Sequence, residues 1–91
     1  MTPAIEDILQ ERGARYGAFI DNATVAQELK AALRAGVCWH ALSPDMKEAL
    51  DMLMSKASRI VTGDPHYLDN WQDIVGYTHL VINALTEPSR Q

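Results

Sequence analysis

Cysteine occurs once, at Cys38, so no disulfide can form within the chain and its stability must come from packing. Aromatic residues are scarce at 7%, which leaves Ala, Leu, Ile, Val and Met to fill the interior. That palette suits close helix packing better than a β-sandwich. The polar–apolar alternation of strands is missing, and so are repeats and low-complexity tracts. No apolar run approaches the roughly 20 residues of a membrane-spanning helix. No basic segment followed by an apolar stretch opens the chain, so no signal peptide is expected and a cytoplasmic location is predicted. Positive charge is in the minority: 8 Lys and Arg face 12 Asp and Glu, a net charge of −4. Proteins that grip a nucleic-acid polymer by counterion release carry basic surfaces. The balance therefore disfavours a nucleic-acid polymer as partner but leaves room for a local basic pocket.

What is present reads as one all-α domain over residues 1–91, a small bundle of about four amphipathic helices. Thr2 and Pro3 look like a helix start, with Glu6 and Asp7 in a first turn that favours negative charge. Gly13 is expected to end this helix, giving residues 3–12. Asp21 or Asn22 can cap a second helix over 22–35, with Val25, Ala26, Leu29 and Leu33 at helical spacing. Ser43-Pro44-Asp45 is the clearest start in the chain and Gly63 the matching stop, so a third helix spans 44–62. Asp69 or Asn70 is expected to cap a fourth over 70–86. Its apolar stripe runs through Trp71, Ile74, Val75, Thr78, Val81, Ile82 and Leu85. A core this thin, with Met52 and Leu80 on otherwise polar faces, predicts a homo-oligomer.

Removing the core stripes leaves the residues that can carry chemistry. Glu48, Asp51, Ser55 and Arg59 fall on one face of the third helix, with Lys56 beside them. Asp69, Asp73 and Tyr77 share a face of the fourth. The turn at Gly63-Asp64-Pro65 is short, so these helices should pack antiparallel and bring Asp73 near Lys56 or Arg59. One reading of that set is an interhelix ion pair. The other is a phosphate site in which Lys56 and Arg59 neutralise charge, Asp73 orients them or binds a ribose hydroxyl, and Tyr77 stacks. Arg12, Arg15 and Tyr16 form a second basic-aromatic patch. Gly76, in mid-helix, is read as a close-packing position. Glu48, Asp51, Asp69 and Asp73 offer the hard oxygen ligands that magnesium prefers. Cys38 and His40 lack two further ligands, so zinc is not expected. No Gly-rich phosphate loop or Ser-His or Cys-His hydrolase arrangement is present.

Three segments together resemble a family of small helical proteins encoded by phages and prophages. They are Glu11-Arg12-Gly13-Ala14-Arg15-Tyr16-Gly17; Glu48-Ala49-Leu50-Asp51-Met52 continuing to Lys56 and Arg59; and Gly63-Asp64-Pro65 with Asp69-Asn70-Trp71, Asp73 and Gly76-Tyr77. The resemblance implies a prophage origin and action in the cytosol of a bacterial host. A more distant one is to the all-α nucleoside triphosphate pyrophosphohydrolases of the MazG type. Glu48-Ala49-Leu50-Asp51 matches their ExxD motif, while the earlier ExxE is missing and Asp69 and Asp73 follow instead of preceding.

The leading functional expectation is a non-catalytic accessory protein that sequesters a small nucleotide-type ligand, such as a host immune signal, with no cofactor. Its ligand contacts would be Arg12, Arg15, Tyr16, Lys56, Arg59, Asp73 and Tyr77. One alternative is a protein–protein adaptor or inhibitor of a host factor. The other is a magnesium-dependent nucleotide pyrophosphohydrolase, with Mg2+ held by Glu48, Asp51, Asp69 and Asp73.

Overall fold

The computed structural model describes residues 4–87, in which four α-helices and one short 3₁₀ turn follow one another. They are α1 (Ile5–Tyr16), α2 (Phe19–Arg34), the turn Trp39–Ala41, α3 (Pro44–Thr62) and α4 (Leu68–Thr86). The all-α class read from the sequence is the class observed, with no strand among the described residues. The Thr2-Pro3 start lies outside those residues.

Helix α3 spans the expected 44–62 because both ends carry strong local signals. Pro44 occupies the first turn, where it forfeits no hydrogen bond, and Gly63 follows the last residue. The Ser43 hydroxyl does not cap the helix backbone; it donates to the Asp45 carboxylate. The other boundaries shift, each for a physical reason. Helix α1 runs through Gly13 and ends at Gly17, whose φ of 82° only glycine adopts without strain. Its last turn is held from outside, since the Asp64 N–H donates to the Arg15 carbonyl at 2.9 Å. Helix α2 starts at Phe19, three residues before Asn22, because the Asn22 side chain is engaged by Ser58 and serves no cap. Helix α4 begins at Leu68, with extended Tyr67 before it; Asn70 is buried and Asp69 accepts from the Tyr67 hydroxyl.

Helix α3 is the centre of the molecule. It packs along α2 on one side and α4 on the other, with α1 laid across the α2–α3 pair. The result is a flat layer of 49 × 30 × 23 Å with a radius of gyration of 15.8 Å. A compact chain of this length would have about 12 Å. A flat layer buries little: among the described residues the only buried apolar ones are Ala26 and Ala49, whereas Lys56, Ser58 and Asn70 are buried and polar. No described helix is long and apolar enough to cross a membrane.

Candidate functional site

The chemistry gathers where the C-terminal end of α1 crosses the C-terminal end of α3. At that crossing the two backbones touch. A side chain at Gly17 would overlap the Thr62 carbonyl, and one at Gly63 would overlap the backbone of Arg15 and Tyr16. Two glycines therefore set how closely the helices approach. Thr62 Oγ1 donates to the Ser58 carbonyl at 2.8 Å and also reaches the Tyr16 carbonyl at 3.3 Å.

This approach fixes the side chains around it. The Arg59 guanidinium rests 4.7 Å from the centroid of the Tyr16 ring, a cation–π contact. Tyr16 meets Tyr67 edge to face, with centroids 6.0 Å apart. Arg15 turns the other way: it donates to the Tyr67 hydroxyl at 2.7 Å, pairs with Glu11 at 3.2 Å and lies over the Tyr67 ring. Tyr67 in turn donates to Asp69 at 2.9 Å. That hydrogen bond to a carboxylate raises the Tyr67 phenol above the usual tyrosine range, outweighing the opposing pull of Arg15. The Arg15 guanidinium is also raised, chiefly by its bond to Tyr67.

A groove of about 540 Å³ opens beside the crossing. Arg12, Tyr16 and Arg59 line it, together with Phe19, Asn22 and Leu9, and among the described residues no carboxylate does. Below it, the fully buried Ser58 hydroxyl is directed at both the carbonyl and the side-chain Oδ1 of Asn22, at 2.7 and 2.6 Å. With Oδ1 so occupied, the Asn22 amide has its Nδ2 hydrogens to offer the groove.

Three of the seven residues read from the sequence as ligand contacts, Arg12, Tyr16 and Arg59, thus meet in one groove. Arg15 stands next to them but is committed to Tyr67 and Glu11. Lys56 and Asp73 do come together, at 2.9 Å, as antiparallel packing of α3 on α4 implied. The lysine is buried there and half-exposed Asp73 serves as its counter-charge. Tyr77 lines a separate groove with Gln72, Asp73 and Gly76. Gly76 is not a packing position, since a side chain there would meet nothing within 4 Å. Phe19 and Asn22 were not legible as site residues. Their only signal was proximity to Gly17, and Asn22 also fits the role of a cap.

The four carboxylates considered for magnesium do not converge. Asp51 pairs with Arg34 at 3.2 Å, Asp69 accepts from Tyr67, Asp73 holds Lys56, and Glu48 lines a shallow hollow with Asp45 and Tyr77. Among the described residues no three of His, Cys, Asp and Glu form a group able to hold a metal ion. Trp39 is flanked by Arg34 and Lys47, at 5.3 and 5.9 Å from its ring, and Cys38 is exposed.

Fold and groove together define a small all-α protein with a basic, aromatic recess on an acidic chain. No family model, no curated protein and no solved structure matches it.

Proposed function

We propose that this protein binds a small nucleotide-type ligand in the groove at the α1–α3 crossing and holds it without turnover. One observation carries the reading. On a chain of net charge −4, two arginines, Arg12 and Arg59, line one recess that no carboxylate among the described residues lines. Guanidinium forks match phosphate oxygens in geometry as well as charge. Exposed Phe19 at the same groove offers a ring face to a base, and base–aromatic stacking contributes about 1–3 kcal/mol. Asn22 supplies an amide for the edge of the base. Among the described residues no His, Cys, Ser, Asp or Glu lines the groove, which favours holding a ligand over turning it over. In the setting implied by the resemblance to phage and prophage proteins, such a binder would sequester a nucleotide signal of the host.

Calorimetric titration with mono-, di- and cyclic nucleotides, and with inorganic phosphate, tests the proposal. At least one nucleotide should bind saturably and more tightly than phosphate. Arg12→Ala and Arg59→Ala should each weaken it by about tenfold or more, the worth of one charge-assisted hydrogen bond. Absence of binding across the panel overturns the reading.

A further inference from the structure

The groove at the α1–α3 crossing is rich in hydrogen-bond donors and poor in acceptors. Of the residues that line it, Arg12, Tyr16, Asn22 and Arg59 carry polar side chains. A guanidinium has donors only. Neither arginine is paired with a carboxylate among the described residues. The Arg59 guanidinium lies against the Tyr16 ring, and such stacking uses the face of the group and leaves its N–H edge free. An asparagine amide ordinarily offers an acceptor as well as donors. Here the acceptor is occupied, because the Ser58 hydroxyl reaches Asn22 Oδ1 at 2.6 Å. That hydroxyl also lies 2.7 Å from the Asn22 carbonyl. The carbonyl already belongs to the hydrogen-bond ladder of α2, so the single hydroxyl hydrogen serves Oδ1. Ser58 is fully buried, so solvent does not compete for this anchor. What remains for the groove is Asn22 Nδ2 with its hydrogens.

A wall of donors selects acceptors. Phosphate oxygens meet that demand on any nucleotide, and stacking on Phe19 is open to any base, so neither distinguishes one nucleotide from another. The edge of the base does. At its N7 edge guanine carries two neighbouring acceptors, N7 and O6, whereas adenine carries N7 beside an amino group. An asparagine reads adenine by accepting from the amino group while donating to N7. In Asn22 the accepting oxygen is already used. Adenine would set an N–H against an N–H, and both would lose the bonds they make in water. Resting on the nucleotide reading above, we infer that the groove takes guanine nucleotides in preference to adenine nucleotides, with Asn22 as the residue that distinguishes them. The amino group of guanine lies on another edge and takes no part in this contact. Hypoxanthine, which keeps O6 and N7, is therefore an equivalent base.

Calorimetric titration of the full chain with GMP, IMP and AMP, and with cyclic GMP and cyclic AMP, tests it. GMP and IMP should bind alike, and AMP more weakly by about tenfold or more, the worth of one base-edge hydrogen bond. Cyclic GMP should exceed cyclic AMP by a similar factor. Asn22→Asp keeps an oxygen for Ser58 and turns an acceptor toward the base. It should narrow or reverse the preference for guanine. A merely structural loss would weaken every ligand alike and leave that ratio where it was. If this variant fails to fold, the wild-type ranking decides. AMP binding as tightly as GMP, or IMP falling to the level of AMP, overturns the inference and leaves nucleotide binding standing. A folded Asn22→Asp protein that keeps the full preference overturns the role of Asn22. Binding of none of them overturns the nucleotide reading, and this inference with it.

Discussion

The two ends of α3 are held by different physics. At its C-terminal end, backbone meets backbone at Gly17 and Gly63, and buried hydroxyls and amides carry the contacts around them. Along its N-terminal half, Met46, Leu50 and Leu53 line an open apolar groove with α4. The polar end is closed and specific, and the apolar end is open. The difference teaches where this chain's specificity resides. Dispersion and hydrophobic burial are non-directional and tolerate many arrangements. A glycine crossing admits one. The crossing therefore defines how the helices sit on one another.

Breaking the closed end should have the largest effect. Gly17→Ala and Gly63→Ala each place a methyl group inside occupied backbone, and Gly17 also requires a positive φ. Each should destabilise by about 3 kcal/mol or more, or prevent folding, as read by urea denaturation. Ser58→Val comes next. It removes the hydroxyl that reaches Asn22 and leaves buried acceptors without a donor, at a cost of about 1–3 kcal/mol by the same measurement. It should also weaken ligand binding, because Asn22 loses its anchor.

The open side should respond with the opposite sign. Gly76 has nothing near it, so Gly76→Ala should stabilise α4 by up to about 1 kcal/mol, raising the denaturation midpoint. A loss of stability there would show that some partner already approaches Gly76.

The smallest effect concerns pH. Tyr67 has its phenol raised by the hydrogen bond to Asp69, so its protonated form is favoured in the folded state. A group raised on folding contributes stability below its unfolded value and loses that contribution as pH climbs through the folded one. The melting temperature should therefore hold up to about pH 10 and then fall. Asp69→Asn should bring the tyrosine absorbance titration to lower pH, because the strongest upward influence is gone. An unchanged titration would show that Tyr67 and Asp69 are not bonded in solution.

The same division explains what the sequence disclosed. Helix α3 was legible to the residue because Pro44 and Gly63 act locally. The Lys56–Asp73 pair was legible because a short turn forces α3 and α4 antiparallel. The end of α1 was not, since Gly13 weakens a helix by only about 1 kcal/mol. The last turn is held in place by Asp64, which is distant in the chain. Arg12, Tyr16 and Arg59 were recognisable by type, but Phe19 and Asn22 join them only through the approach that the two glycines permit. For α4, periodicity gives an apolar stripe without saying whether its partner belongs to the same chain.

One experiment separates the two regions directly: amide chemical-shift mapping by NMR on adding the nucleotide that binds best. The account predicts shifts gathered at the crossing. The ligand should move residues 12–22 and Arg59 and leave the C-terminal half of α4 in place. Ligand-induced shifts confined to α4, with Arg12, Tyr16 and Arg59 unmoved, would contradict it.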